Sequence, residues 1–412
     1  MCGILGITSR TPVYHNLYTG LSLLQHRGQD AFGIVTEIGV QREFGLVKQG
    51  KSLKGHIGLG HVRYPTHGSK SDETLIQPLY TLNFIFAFNG TLTNVPLPFT
   101  SDSKWLFHLL TRTNNIYENI EDVYKTCKGS YSVLLIHGNI LYAFRDKCGI
   151  RPLCFGKRSK SEYCFASESV VLNVLEYDFV RDVKPGECVC INGRFIETKQ
   201  FRASDYTPCL FEYIYISRPD SVLDGILVYK ARQIMGQILA SSIEGKPDLV
   251  VSVPETSRIA AIELARVLDV PHIEALVKNR YTSRTFIQPN QMQRENSVSL
   301  KFNVIGEFVQ GKHVLVIDDS IVRGTTMKKI VSLLKRAGAS KVSIGVCAPQ
   351  IVNTNCYGID LPSKTDLLVH KGAPDIAKFL GVDKIYWQDL DLLTRALSTD
   401  VVTGFETSMF TT

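Results

Sequence analysis

The stretch His313-Val314-Leu315-Val316-Ile317-Asp318-Asp319-Ser320-Ile321-Val322-Arg323-Gly324-Thr325-Thr326 narrows the folds open to this chain more than any other. Four apolar residues in a row read as a buried strand, and two carboxylates stand where it ends. A short Gly/Thr loop follows, and then a helix begins. In an open parallel sheet, ligands bind in the crevice beyond the strand carboxyl ends, so the position itself marks a site. The backbone N–H groups of Arg323, Gly324, Thr325 and Thr326, two hydroxyls and a helix N-terminus form a cradle suited to a phosphate. Asp318 and Asp319 would repel that anion, and their residue type calls instead for sugar hydroxyls or a divalent cation.

At 412 residues the chain is long for a single core, and two domains are expected. Its 44% hydrophobic and 21% charged residues describe a folded soluble protein. The formal charge of +7 is spread without dense Lys/Arg runs, which argues against a nucleic-acid arm and suits small anionic substrates. Ten cysteines occur without a CxxC pair, and only Cys188 and Cys190 lie close together, so free thiols in a reducing compartment are expected. The N-terminus lacks the length and basic flank of a signal peptide, and no apolar run reaches membrane-spanning length. A cytoplasmic location, with neither membrane nor nucleic acid as partner, is the expectation.

Up to about residue 200, strands are expected at Cys2 to Ile7, Gly33 to Val35, Ile57 to Val62, Asn83 to Phe88, Tyr131 to His137, Ile140 to Arg145, Tyr163 to Ala166 and Glu187 to Ile191. Helices are expected at Leu17 to Gln25 and Lys104 to Thr111, where leucines recur at helical spacing. The polar link Phe201 to Pro208 changes the rhythm to strand, loop, helix. Asp248 to Val253 with the helix Arg258 to Leu268 is one such unit. Val314 to Ile317 with the helix Met327 to Ala337, capped by Gly338, is another, and Lys341 to Cys347 returns as a strand. Repeated βα units imply a parallel sheet covered by helices on both faces. The polar, basic run Lys278 to Pro289 reads as a long loop. The division drawn is 2–205 and 206–412.

Cys2 has a second claim on attention. Removal of Met1 would leave it a free α-amine, which titrates near neutrality and can serve as base for its own thiol. Taken alone, Cys2 reads better as a small strand residue. Its company alters the weighting: His26-Arg27-Gly28-Gln29-Asp30, Gly60-His61-Val62-Arg63-Tyr64-Pro65-Thr66 and Phe88-Asn89-Gly90 all end predicted elements. Asn89 with the Gly90 N–H would give two donors to an oxyanion, each worth about 3 kcal/mol in comparable sites. Arg63 suits a substrate carboxylate and Asp102 an α-ammonium, groups that glutamine carries.

These motifs together resemble those of the amidophosphoribosyltransferase family, the glutamine phosphoribosylpyrophosphate amidotransferases. The matching residues are Met-Cys-Gly-Ile-Leu-Gly-Ile at the start, Leu-Gln-His-Arg-Gly-Gln-Asp at 24–30, His-Val-Arg-Tyr-Pro-Thr at 61–66, Phe-Glu-Tyr-Ile-Tyr-Ile-Ser-Arg-Pro-Asp-Ser at 211–221, Lys-Asn-Arg-Tyr at 278–281, Arg-Thr-Phe-Ile at 284–287 and the 318–326 loop. The resemblance implies an α+β and α/β architecture, an N-terminal-nucleophile αββα sandwich followed by a type I phosphoribosyltransferase domain with a parallel sheet. It implies Cys2 as nucleophile, Asn89 and Gly90 as oxyanion hole, and Arg27, Arg63, Thr66 and Asp102 as glutamine contacts. For phosphoribosyl pyrophosphate it implies Glu255, Lys278, Arg280, Tyr281, Arg284, Asp318, Asp319, Ser320, Arg323, Gly324, Thr325 and Thr326. One Mg²⁺ per subunit would be held by Thr256, Asp318 and Asp319. Purine nucleotides as feedback inhibitors and a homo-oligomer, dimer or tetramer, are implied as well.

Some family members carry an Asn-x-x-Cys-x-x-Cys tail that completes an iron–sulfur cluster. Here the tail reads Phe405 to Phe410 and no cluster is expected, although Cys209 and Cys356 occupy the neighbourhood of two ligands. Asn94 leads to Asp102 without the usual intervening helix, which predicts a pared glutaminase rim. Residues 298–303 lack an Arg often found in that loop. Three other readings stand beside the main one: an ammonia-dependent enzyme with impaired glutaminase, a salvage or pyrimidine phosphoribosyltransferase with an added domain, and a non-catalytic sensor of a phosphoribosyl ligand.

Overall fold

A computed structural model describes residues 1–64, 71–202, 205–279, 302–370 and 375–411. Its first half contains the strands β1 (Gly3–Thr8), β2 (Ala31–Thr36), β3 (Val40–Phe44), β4 (Ile57–Arg63), β5 (Leu79–Tyr80), β6 (Phe84–Leu92), β7 (Gly129–His137), β8 (Ile140–Arg145), β9 (Cys154–Ser159), β10 (Glu162–Ala166), β11 (Asp178–Asp182), β12 (Glu187–Asn192) and β13 (Phe195–Gln200). They form two antiparallel sheets, ordered β11-β9-β10-β1-β4-β2-β3 and β13-β12-β8-β7-β6-β5.

Strand alternation sorts the apolar residues into three cores. On β1, Leu5 and Ile7 face the helices Tyr14–Leu23 and Val170–Val174, while Ile4 points between the sheets. On β6, Phe84, Phe86 and Phe88 meet the helices Asp102–Leu110 and Ile116–Thr126, while Ile85 and Ala87 join the core between the sheets. Both strands are buried on two faces, which is why their sequences are continuously apolar rather than alternating. The result is the expected αββα sandwich.

The helix Ile116–Thr126 goes beyond the expectation for this half. Asn115 caps it by accepting the Glu118 N–H at 3.4 Å, and Ile116, Ile120 and Val123 form its buried stripe.

In the second half, the strands Leu249–Ser252, His313–Asp318, Lys341–Val346 and Lys384–Trp387 run parallel in that spatial order. The helix Thr325–Arg336 buries Met327, Ile330, Val331 and Leu334, one stripe at helical spacing, and Gly338 at φ +94° closes the turn after it. The helix Val228–Ser242, which the sequence reading passed over, lies so close to the helix Arg258–Leu268 that a Cβ on Gly236 would stand 2.3 Å from the Ala260 carbonyl oxygen.

Candidate active sites

Strand parity builds the first site. Cys2 shares the inward parity of Ile4, His61 and Arg63 that of Leu59, and Asn89 that of Ile85 and Ala87, so all four point into the layer between the sheets at one end of it. There Cys2, Arg63, Tyr64, Gln77, Gly90 and Asp102 line a small pocket that opens to solvent. The Cys2 backbone N–H donates to Asn89 Oδ1 at 3.1 Å. The Tyr64 N–H donates to Cys2 Sγ at 3.5 Å, and the thiol in turn lies 3.7 Å from the Tyr64 carbonyl oxygen, so both polar groups of the Tyr64 backbone position the sulfur.

Asn89 Nδ2 is sealed from solvent and has no protein acceptor among the described residues. A buried amide donor left over in this way suits a group that arrives with substrate. Beside it, the chain passes close enough to β7 that only glycine fits at position 90, where a Cβ would meet the Ser130 carbonyl oxygen at 2.0 Å.

Asp102 opens its helix, and its carboxylate accepts the Ser103 N–H at 2.7 Å and the Leu92 N–H at 3.4 Å, a position the helix dipole favours for an anion. His61 lies under the pocket; burial, and then the Arg63 charge, push its pKa down to about 3 against the pull of the Phe88 carbonyl, so the ring is neutral.

Arg27 sits in a buried charge cluster. Its side chain is fully buried away from the pocket lining, and its donors are committed to the protein: Nε to the Cys2 carbonyl at 3.0 Å, Nη1 to Glu168 at 2.6 Å and Glu212 at 3.0 Å, and Nη2 to Glu212 at 2.7 Å. The guanidinium's nearest acceptors are thus carboxylates 141 and 185 positions away along the chain. Burial raises the pKa of Glu168, but His26 and Arg27 outweigh it and hold the carboxyl well below its ordinary range.

The second site lies at the carboxyl ends of the parallel strands. Asp318 ends its strand, accepting the Asp319 N–H at 2.9 Å, and Asp319 accepts the Ser320 hydroxyl at 2.7 Å. Burial pushes the Asp319 pKa up to about 6, opposed by Ser320 and by the charge of Arg232. Gly324 takes a left-handed φ of +77° at the N-cap, which turns the exposed Arg323, Thr325 and Thr326 and the free end of the helix Thr325–Arg336 toward the crevice. Glu255 and Thr256 occupy the neighbouring loop, where Ser257 donates to both the Val253 carbonyl at 2.7 Å and the Ile317 carbonyl at 2.8 Å. That hydroxyl ties the loop after Val253 to the end of the strand His313–Asp318. Glu255 is exposed and paired with Arg258.

Lys278 stands on a two-stranded ribbon, Leu276–Lys278 with Phe302–Val304, away from the parallel sheet. Thr66, Arg280, Tyr281 and Arg284 fall outside the described residues. All ten cysteines are free thiols; Cys209 is buried and Cys356 exposed. Among the described residues no three His, Cys, Asp or Glu side chains form a metal-holding group, and no helix is long and apolar enough to cross a membrane.

Sequence reading missed Ser257, Arg232, Glu168, Glu212 and Arg151. For Glu212 the one signal available was a charged residue inside an otherwise apolar run, Cys209-Leu210-Phe211-Glu212-Tyr213-Ile214; Ser257, Arg232 and Glu168 sit among polar neighbours that mark nothing.

Two family models match the chain: a glutamine amidotransferase domain over residues 68–174 and a phosphoribosyl transferase domain over residues 220–355. Amidophosphoribosyltransferases of Pasteurella multocida and Escherichia coli are 40% and 39% identical to it, each over 100% of this chain and 92% of the relative. That of Saccharomyces cerevisiae is 39% identical at the same coverage. Among solved structures, the glutamine phosphoribosylpyrophosphate amidotransferase of B. subtilis complexed with ADP and GMP superposes with a TM-score of 0.88 at 32% identity, covering 100% of this chain and 96% of that one. A structure described as the allosteric regulatory enzyme of purine biosynthesis gives 0.89 at 33% identity, covering 100% and 95%.

Proposed function

The chain belongs to the amidophosphoribosyltransferase family, and from that premise we propose how its residues divide the work. The reaction moves the amide nitrogen of glutamine to C1 of 5-phosphoribosyl 1-pyrophosphate, giving 5-phosphoribosylamine, pyrophosphate and glutamate in purine biosynthesis. We assign the glutamine half-reaction to residues 2–205 and the phosphoribosyl half to residues 206–412.

With Met1 removed, the nitrogen beside Asn89 Oδ1 becomes an α-amine, which takes the thiol proton. The Cys2 sulfur attacks the side-chain amide carbon, and the oxyanion that forms is held by Asn89 Nδ2 and the Gly90 N–H. The C–N bond breaks as the amine returns the proton to the leaving nitrogen, freeing ammonia, and water then hydrolyses the thioester to glutamate. Arg63 and Asp102, which line the same pocket as Cys2, would hold the α-carboxylate and α-ammonium. The presence of Asp102 in the pocket lining favours this reading over an enzyme that has lost glutamine binding through its short 94–102 segment.

At the second site, ammonia attacks C1 of the sugar as the C1–O bond to pyrophosphate breaks. Asp318 and Asp319 would hold the ribose hydroxyls, and Ser320 with Arg323 to Thr326 the 5-phosphate, while Glu255 and the loop around it face the leaving pyrophosphate. Lys278, Arg280, Tyr281 and Arg284 would cover the sugar. Asp318, Asp319 and Thr256 would offer Mg²⁺ oxygen donors of the kind it accepts alongside water and phosphate oxygens. When bound, that ion supplies charge neutralisation for the departing pyrophosphate.

Inhibition by purine nucleotides is supported by the ADP and GMP bound to the B. subtilis relative. A homo-oligomer is supported by the exposed Phe179 and Val180 on edge strand β11 and Phe195 and Ile196 on edge strand β13. A cytoplasmic setting fits the ten free thiols.

The observation that carries the assignment is Cys2 in one pocket with Gly90, Arg63 and Asp102, beside the unpartnered Asn89 amide. Its test is pyrophosphate release with glutamine and with ammonium salts. Cys2→Ala should abolish the first and keep the second, whereas Asp318→Asn should depress both. Retention of glutamine-dependent turnover by Cys2→Ala would refute the nucleophile, and unimpaired rates in Asp318→Asn would refute the sugar site.

A further inference from the structure

Both ends of the glutamine site are braced by the second half of the chain. We infer that Glu212 and Gly358 are positioning residues for the glutamine half-reaction, Glu212 acting through Arg27 on the Cys2 carbonyl and Gly358 bearing on the backbone at Gly90. The inference deepens the assignment of Cys2 as nucleophile and rests on it.

The first brace is a buried charge cluster. Glu212, in the helical turn Glu212–Ile216, is 2% exposed and accepts two bonds from Arg27 at 2.7 and 3.0 Å, one from Ser217 Oγ at 2.7 Å and one from Arg151 at 3.4 Å. Arg27 in turn holds the Cys2 carbonyl at 3.0 Å. Loss of the Glu212 charge would leave two buried guanidinium groups sharing a weaker set of acceptors, and Arg27 would have to move to find others. Any such movement is transmitted to the residue that carries the sulfur.

The second brace is a turn. The Tyr357 carbonyl accepts Ser130 Oγ at 2.8 Å and Arg151 Nε at 3.0 Å, with Arg151 Nη2 as a further donor. Asn355 Oδ1 closes the turn from within, accepting the Tyr357 N–H at 2.8 Å and the Ile359 N–H at 3.3 Å. Gly358, at φ +102°, is thereby pressed onto the oxyanion strand, where a Cβ would stand 2.9 Å from Thr91 Oγ1 and 3.6 Å from the Gly90 carbonyl carbon and oxygen. Thr91 Oγ1 itself donates to the Gly90 carbonyl at 2.8 Å. Arg151 belongs to both braces, so the Cys2 carbonyl and the Gly90 strand are referenced to one fully buried side chain. Nucleophile and oxyanion donors must agree to a fraction of an ångström for attack, and this arrangement holds them in agreement.

The test uses the full chain with Glu212→Gln, Gly358→Ala and Cys2→Ala. It reads kcat and KM for glutamine hydrolysis, ammonium-dependent pyrophosphate release, the rate of Cys2 alkylation by iodoacetamide and the thermal unfolding midpoint. Glu212→Gln and Gly358→Ala are expected to lower glutamine kcat by about ten- to a hundredfold and to slow alkylation, with ammonium-dependent release at the wild-type level. Glutamine and ammonium rates that fall together, or that both stay unchanged, would overturn the inference. Should either variant not fold, Ser217→Ala, which removes one bond to Glu212, is read by the same criteria. If Cys2→Ala still turns over glutamine, the nucleophile assignment itself fails; if it does not while the other variants match wild type, only the positioning roles fail.

Discussion

An ideal Cβ on Gly90 would stand 2.0 Å from the Ser130 oxygen, inside a pairing of β6 and β7 that runs unbroken from Phe84 to Leu92. Neither backbone can yield without opening that ladder. Gly90→Ala should therefore cost about 1–3 kcal/mol in urea unfolding, and glutamine-dependent turnover should collapse while the ammonium-dependent rate survives. A variant of wild-type stability and glutamine activity would show that the β6–β7 ladder can open at 90 without cost to the site. Residues of this kind were legible because their chemistry sits in short local motifs: Cys2 at the chain start, Asn89-Gly90 at a strand end, Asp318-Asp319 before a Gly/Thr loop. Arg27 has buried structural partners that were not legible, for the opposite reason. It lies in just such a motif, but its partners Glu168 and Glu212 are far along the chain and nothing local marks them.

Among the elements, those buried on both faces or carrying one clean stripe were legible, since continuous apolar runs and helical spacing are what burial demands. The strand His313–Asp318 and the helix Arg258–Leu268 lie where their patterns put them. Edge strands escaped notice because one or both faces meet water: every residue of β13 is exposed, so its sequence carries no burial pattern. The Gly/Thr loop after Asp319 adds a constraint that pattern alone cannot express. Gly324 at φ +77° caps the helix Thr325–Arg336, and a Cβ there would come within 3.1 Å of Leu368 and Leu380. Alanine at this position pays a left-handed penalty of about 1–2 kcal/mol and crowds both leucines. Gly324→Ala should weaken phosphoribosyl pyrophosphate saturation in glutamine and ammonium assays alike, because both draw on this loop. Raised KM in only one assay would separate the loop from the shared sugar site.

Across the whole molecule, the halves are joined by a second buried charge group. The hairpin Val222–Leu223 to Ile226–Leu227 turns through Asp224 and Gly225, both at positive φ, and delivers Asp224 to Arg145 at 2.6 Å and to the Tyr206 hydroxyl at 2.6 Å. Asp182 lies beside this pair with its Oδ1 sealed from solvent and lacking a hydrogen-bond partner among the described residues. Burial, then the Asp224 charge, raise the Asp182 pKa to about 7, opposed by Arg145 and by the backbone N–H groups of Asp224 and Gly225. One guanidinium thus serves two carboxylates, and the junction retains a proton that the unfolded chain gives up. Between about pH 4 and pH 7 the folded state binds more protons than the unfolded one at this position, so its contribution to stability falls as pH rises through that window. Asp182→Asn keeps the shape and removes the titration. Its unfolding midpoint in urea, followed from pH 4.5 to pH 8, should lack a component of up to about 1.4 kcal/mol per pH unit, and the variant should exceed wild type in stability at the alkaline end. A slope identical to wild type would show that Asp182 is ionised throughout and that Arg145 is charge enough for both.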